Sequence, residues 1–152
     1  SPGPGRPAEF GLPGLVGRIA ELGIPQFGVC LGLQGIVEAF GGELGVLEEP
    51  RHGKYWSLQH DGSGLFDGID SPARVGAYHS LYAVDGRMPA ALEVVARNED
   101  GLVMAVRHRE LPIAAVQFHP ESILTLDNLA GHRMVENAVG LLTGRKRASA
   151  AA

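Results

Sequence analysis

The stretch Gly28-Val29-Cys30-Leu31-Gly32-Leu33-Gln34 contains the only cysteine of the chain. The residues before it, 24–29, form an apolar run of strand length, and residues 31–40 have apolar side chains at helical spacing and end at two glycines. The pattern Gly-x-Cys-x-Gly is typical of a nucleophile elbow, a sharp turn from strand to helix that pushes the central side chain out of the sheet. The positive end of the new helix favours a thiolate. We therefore predict that Cys30 is a nucleophile at the edge of a sheet.

A second motif, Gln117-Phe118-His119-Pro120-Glu121-Ser122, follows another apolar run and supplies the partners that a thiolate needs. A lone buried cysteine is more often a core residue than a nucleophile. However, ligands of α/β sheets bind at the carboxyl ends of the strands, and Cys30 and His119 both come directly after an apolar strand. His119 can take the thiol proton, and Glu121 lies close enough to hold the other ring nitrogen. The sequence predicts an acyl-transfer site made of Cys30, His119 and Glu121.

The order of the elements predicts an α/β fold. We expect helices at 12–22, 31–40 and 127–142, and strands at 24–29, 43–50, 73–78, 92–97, 102–107 and 114–118. Residues 52–66 are polar and rich in glycine, which predicts a surface hairpin or loop. A tight turn joins strands 92–97 and 102–107, so this pair is antiparallel. The predicted fold is therefore a three-layer, mostly parallel sheet with helices on both faces and an antiparallel insertion.

Composition restricts the possible functions. The chain has 152 residues, 45% of them hydrophobic, and a formal net charge of −4. We expect one domain over residues 1–144 and a disordered tail over 145–152. The basic residues are scattered, which argues against nucleic-acid binding. No run approaches the ~20 apolar residues of a membrane helix. One cysteine cannot form an internal disulfide, so we expect a cytoplasmic protein, and no His/Cys spacing predicts a metal site.

Three motifs, Gly3-Pro4-Gly5, residues 28–34 and residues 117–122, occur in the same order as in the triad type of class I glutamine amidotransferases, which the chain resembles. Within that family it looks most like the glutaminase part of anthranilate synthase. Further segments carry this resemblance: His52-Gly53-Lys54, Gly64-Leu65-Phe66, Tyr78-His79-Ser80-Leu81 and Val106-Arg107-His108-Arg109. Leu33 stands where many members have histidine and is similar to the version in glutaminases fused behind a synthase. The resemblance implies that a βαβ unit of about 30 residues or more precedes the Pro-Gly loop, so we expect the N-terminal strands to be missing.

The resemblance also implies roles for individual residues. Cys30 would attack the side-chain amide of glutamine, His119 would transfer the proton, and Glu121 would orient the imidazole. The oxyanion hole would consist of the N–H groups of Gly3 and Leu31, the residue after the nucleophile. The glutamine-binding residues would be Gly3, Pro4, Gly5, Gln34, Ser80 and Leu81.

The function implied is that of a glutaminase, which hydrolyses glutamine to glutamate and delivers ammonia to a chorismate-using synthase that makes anthranilate in tryptophan biosynthesis. The partner would be a chorismate-binding synthase domain, in the same polypeptide or as a separate subunit. No cofactor is expected in this domain, and Mg²⁺ is expected in the partner synthase. Glutaminases that serve aminodeoxychorismate synthase in folate biosynthesis, or a phenazine pathway, would share the same catalytic residues. A non-catalytic regulatory docking domain is a further alternative, but the intact triad argues against it.

Overall fold

A computed structural model describes residues 5–125 and 129–144 of the chain. The helices are α1 (Leu12–Glu21), α2 (Leu31–Ala39) and α3 (Ala130–Thr143). The strands are β1 (Gln26–Val29), β2 (Leu44–His60), β3 (Ala73–Ala83), β4 (Leu92–Asn98), β5 (Val103–His108) and β6 (Ile113–Val116). The expected start of the last helix, 127–128, and the expected tail, 145–152, lie outside the described residues. No helix in the described ranges is long and apolar enough to cross a membrane.

The six strands form one mixed sheet in the order β1-β6-β5-β4-β2-β3. β1 and β6 are parallel, with Val29 opposite Val116. The other four pairings are antiparallel. Among the described strands the parallel part is therefore smaller than the mostly parallel sheet predicted, because short turns join β4 to β5 and β5 to β6 and reverse the chain each time. The parallel pair nevertheless places Cys30 and the motif after β6 at the same edge.

Helices cover both faces of the sheet, as predicted. On one face, Val16 of α1 and Leu33, Ile36 and Val37 of α2 pack against the sheet. On the other, Met134 and Ala138 of α3 pack with Trp56, Leu58, Phe66 and Phe118. The side chains of β6 alternate between the two faces. Ile113 and Ala115 pack on the side of α1 and α2, and Ala114 and Val116 pack on the side of α3. The result is the three-layer α/β arrangement predicted from the order of the elements.

Residues 52–66, predicted to be a surface hairpin or loop, are instead part of one long strand as far as His60. β2 continues to His60, pairing with β3 over most of its length and with β4 at its end. Trp56 and Leu58 alternate with more exposed residues and are buried, at 4% and 0% exposure. Gly53, with φ 66°, lies at a shift in the register, where a bulge accommodates an extra residue without ending the strand. The polar residues that suggested a loop are thus those of a twisted strand with a bulge.

Candidate active site

Cys30 lies at the turn between β1 and α2, where the sequence predicts the elbow. Its backbone has φ 53° and ψ −101°, a conformation that is strained for any residue with a side chain. Its N–H donates to the carbonyl of Val116 at 2.8 Å, which joins the elbow to the end of β6. A methyl group at Gly28 would lie 2.7 Å from the backbone carbon of Gly32. Only glycine at position 28 allows the strand and helix to approach this closely, so the motif enforces the turn.

His119 and Glu121 form a short ion pair. Nδ1 of the ring lies 2.6 Å from Oε1 of Glu121. The His119 ring is buried, whereas the Glu121 side chain is 63% exposed. Because Nδ1 is engaged by the carboxylate, Nε2 is the ring nitrogen left for an interaction with Cys30, and this atom is buried and makes no other hydrogen bond. The three residues predicted to form the triad therefore lie together in the order that acyl transfer requires.

The segment that presents His119 is tied to β3. The His119 carbonyl accepts a hydrogen bond from Thr125 Oγ1 at 2.7 Å, and Thr125 Oγ1 accepts one from the N–H of Gly76 at 3.0 Å. The ring of Tyr78 meets the imidazole edge to face, with centroids 5.5 Å apart, and its hydroxyl lies 3.1 Å from Ser122 Oγ. These contacts fix the backbone of His119 and pack the Tyr78 ring against its imidazole, which restricts how far the ring can turn.

The environment of His119 favours its charged form. The hydrogen bond with Cys30 is the main cause that raises the pKa of His119, to about 9. Burial acts in the opposite direction, and the hydrogen bond and negative charge of Glu121 raise the pKa further. These contacts therefore favour the imidazolium form of the ring. An imidazolium beside a cysteine at a helix N-terminus stabilises a thiolate, which is the reactive form of the nucleophile.

Two buried amides complete the interior of the site. Gln34 is 3% exposed and Gln117 is 0% exposed. Gln34 Nε2 donates to Gln117 Oε1 at 3.2 Å and to the carbonyl of Leu81 at 3.4 Å, and Gln117 Nε2 donates to Cys30 Sγ at 3.6 Å. The sequence pattern alone predicts no role for Gln117. The available indication was that Gln117 is a polar residue directly after an apolar strand, because a polar side chain that is buried needs a hydrogen-bond partner.

The structure describes some of the predicted glutamine-binding residues but not all of them. Gly3 and Pro4 lie outside the described residues, and Gly5 is exposed, with φ 106°, at the start of the described part. Ser80 and Leu81 lie on β3, and the Leu81 carbonyl accepts the bond from Gln34. Gln34 directs its amide hydrogens at protein acceptors, so contact with a substrate would have to use its Oε1.

Of the two predicted oxyanion donors, the structure describes one, Leu31. Leu31 is the first residue of α2, so its N–H is one of those that the helix itself cannot satisfy. The N–H of Gly3, the other predicted donor, belongs to the part of the chain that the structure does not describe. In the described ranges, no group of three or more His, Cys, Asp or Glu residues is placed to hold a metal ion.

Comparison with proteins of known sequence identifies long relatives. The chain is 55% identical over 152 residues to an anthranilate synthase of Azospirillum brasilense, which matches all of this chain and 21% of the relative. It is 52% identical over 141 residues to an aminodeoxychorismate synthase of Streptomyces griseus, covering 90% of this chain and 18% of the relative. The chain thus spans about a fifth of the length of these two proteins.

The fold and the family are identified by two further matches. A glutamine amidotransferase of Thermotoga maritima of known crystal structure superimposes with a TM-score of 0.73 over 89% of this chain and 69% of that one. At 13% identity this similarity establishes the fold alone. The family model described as glutamine amidotransferase class-I matches residues 1–139. This match includes the elbow, the buried amides and the His119 motif, and the chain therefore belongs to the class-I glutamine amidotransferase family.

Proposed function

We propose that the chain hydrolyses the side-chain amide of glutamine and supplies the ammonia to a chorismate-using synthase that makes anthranilate. The grouping of Cys30 at the elbow with His119 and Glu121 carries this proposal, since a thiol, an imidazole and a carboxylate in this sequence are the parts of an acyl-transfer site. The 55% identity to an anthranilate synthase over the whole chain supports the choice of product.

The proposed reaction begins with attack of the Cys30 thiolate on the amide carbon of glutamine. A C–S bond forms, and the carbonyl oxygen becomes an oxyanion, for which the N–H groups of Leu31 and Gly3 are the proposed donors. His119 gives its proton from Nε2 to the nitrogen, and the C–N bond breaks to release ammonia. Water, deprotonated by the now neutral His119, attacks the thioester, and glutamate and the thiolate are released.

We propose that the amino-acid end of glutamine is held by the Pro-Gly loop, Gly3, Pro4 and Gly5, on one side. On the other side the proposed contacts are Gln34 and the backbone of Ser80 and Leu81. This second group is supported by its position, because Gln34 lies on the elbow helix and hydrogen bonds to Leu81 on β3. The substrate would therefore lie between the end of β3 and the start of α2.

A receiving synthase follows from the chemistry of the product. Free ammonia in water is largely protonated and loses its nucleophilicity, so a glutaminase that serves biosynthesis needs a nearby acceptor site. We propose a chorismate-binding synthase in the same polypeptide, in the cytoplasm and in tryptophan biosynthesis, because the relative with 55% identity is about five times longer than the matched part. Aminodeoxychorismate formation is a second candidate, supported by the 52% identity over 90% of the chain. The higher and complete match favours anthranilate.

The test is a comparison of two nitrogen sources in the full-length protein with its synthase. Cys30→Ser should abolish synthesis with glutamine and leave synthesis with added ammonium salts close to the wild-type rate, because the synthase does not use the thiol. Chromatography of the product separates anthranilate from aminodeoxychorismate. Equal loss with both nitrogen sources would contradict the role of Cys30, and aminodeoxychorismate as the product would replace the proposed acceptor reaction.

A further inference from the structure

The amide of Gln117 contacts the reacting atom, yet the proposed chemistry gives it no role. Its Nε2 donates to Cys30 Sγ at 3.6 Å, a distance compatible with a hydrogen bond because sulfur is large and its lone pairs are diffuse. Its Oε1 accepts from Gln34 Nε2 at 3.2 Å. The side chain is fully buried, so water cannot replace either bond. We refer to Gln34 and Gln117 together as the amide pair.

A backbone carbonyl determines which way the amide pair points. The oxygen and nitrogen of a glutamine amide have nearly the same shape, so their assignment must come from the hydrogen-bond partners. The Leu81 carbonyl can only accept, and therefore the nitrogen of Gln34 must face it. The second hydrogen of that nitrogen goes to Oε1 of Gln117. The nitrogen of Gln117 consequently faces Cys30, and the amide pair ends in a donor directed at sulfur.

The carbonyl that sets this direction is itself held in place. His79 is 3% exposed, and its Nδ1 lies 2.8 Å from the same Leu81 oxygen. Since the carbonyl cannot donate, the hydrogen must be on Nδ1 of His79. Two donors thus bind one oxygen, from the ring of His79 and from the amide of Gln34. The polarity of the amide pair is therefore fixed by groups on β3, far in sequence from Cys30.

We propose that Gln117 stabilises the Cys30 thiolate by donating its amide hydrogen to Sγ, and that Gln34 is a positioning residue that keeps this amide in the donating orientation. The inference rests on the proposed function, since it concerns the same thiolate. Sulfur is then bound by two donors, the ring of His119 and the amide of Gln117, and two donors restrict the direction of attack more than one.

The second donor serves both halves of the proposed reaction. During the reaction His119 gives its proton to the departing nitrogen and regains one only when it deprotonates water, so its charge changes from step to step. The amide of Gln117 cannot be deprotonated at neutral pH and remains a donor throughout. When water attacks the thioester, sulfur leaves as a thiolate, and a donor already in contact with it lowers the barrier to that departure.

The experiment measures the ionisation of Cys30 in the full-length protein. The rate of alkylation by iodoacetamide follows the thiolate fraction, and mass spectrometry of the peptide that contains Cys30 separates it from other thiols. Gln117→Met, which is similar in length but has no donor, should move the pH midpoint of alkylation upward by about one unit, the size expected for the loss of one hydrogen bond to a charged acceptor. Gln117→Glu keeps the bond from Gln34 and places a negative charge beside sulfur, so it should move the midpoint further upward.

Two additional variants make the result specific. Gln34→Met should shift the midpoint in the same direction by a smaller amount, and it decides the matter if Gln117→Met does not fold. Asn137→Leu is the matched control, because Asn137 is also a buried amide and donates to the Leu65 and Asp67 carbonyls beneath α3. This control should lower stability and leave the midpoint unchanged. A midpoint that stays at the wild-type value in folded Gln117→Met or Gln34→Met would overturn the proposal, as would an equal shift in Asn137→Leu.

The two proposals fail in different measurements. Glutamate release by the wild type tests the proposed function, whereas the alkylation midpoint tests the amide pair. An active wild type with an unshifted midpoint in the variants would refute only the role of Gln117. A wild type that releases no glutamate, with a shifted midpoint, would refute the glutaminase function and still leave Gln117 as a partner of the thiolate.

Discussion

Glu121→Gln removes the charge from the residue proposed to orient His119 and leaves an oxygen in nearly the same place. The carboxylate of Glu121 accepts from His119 Nδ1 at 2.6 Å. A hydrogen bond to a charged group contributes about 1.5–3 kcal/mol. Because the Glu121 side chain is 63% exposed and screened by water, we take the value at or just below the lower limit, about 1.4 kcal/mol. This corresponds to about a tenfold fall in kcat for glutamate release.

The pH dependence of the same variant gives an independent measurement. The proposed reaction needs a protonated His119 to release ammonia, and the pKa of His119 is raised to about 9, so kcat/KM should fall as the pH rises through that value. Loss of the negative charge at position 121 lowers the pKa, and the alkaline limb should move to lower pH. Glutamate release by the full-length protein, measured across neutral and alkaline pH, tests this shift of the alkaline limb.

A matched control is available at the opposite end of the sheet. Glu110 is exposed and lies between β5 and β6, away from the edge that holds Cys30. Glu110→Gln makes the same chemical change and should leave both the rate and the alkaline limb at wild-type values. If Glu121→Gln kept the wild-type rate and the wild-type limb, the carboxylate would have no part in orienting His119, and the reasoning from the 2.6 Å contact would be refuted.

Three further predictions concern the structure that supports the site. Gly28→Ala should destabilise the fold by about 1–3 kcal/mol in urea unfolding, because the new methyl group would lie 2.7 Å from the backbone of Gly32, and a wild-type midpoint would show that the elbow can relax. Thr125→Val should cost about 2 kcal/mol in the same assay, since it leaves the Gly76 N–H and the His119 carbonyl without their hydroxyl partner; an unchanged free energy would rule out that contribution. The pKa of His119 is higher in the folded chain than its ordinary value of 6.5, so its contribution to stability is complete below pH 6.5 and is lost as the pH rises through about 9. His119→Gln should flatten that part of the pH profile of unfolding, and an identical slope in the variant would contradict the assignment.

The local parts of the fold could be predicted from the sequence because their causes are local. The elbow follows from glycines two residues either side of Cys30, and α1 and α2 follow from apolar spacing with glycines near their ends. The pairing of Cys30 with His119 required one further step, that strands of an α/β sheet present their carboxyl ends at one edge. Both steps depend on features that a single segment contains.

The errors share a different cause. Residues 52–60 look like a loop by composition, and they become a strand because β3 pairs with them as far as Leu58 and β4 pairs with residues 58–60. Gln117 gave no sign of contact with Cys30, because its orientation depends on Gln34 and on the Leu81 carbonyl, which are 83 and 36 residues away in sequence. Contacts of this kind are set by tertiary packing, and one sequence does not display them.

The parallel pairing of β1 with β6 has a consequence for how this protein can change. β1 and β6 are adjacent, about 4.8 Å apart, and Val29 is in register with Val116. Cys30 comes one residue after Val29 and His119 three residues after Val116, so the pairing of these two strands sets the distance between Cys30 and His119. The turn between β4 and β5 is not part of this pair of strands. Insertions there can lengthen the chain without moving sulfur relative to the imidazole, whereas a slip of one residue between β1 and β6 would turn Val29 and Val116 to opposite faces and separate the pair.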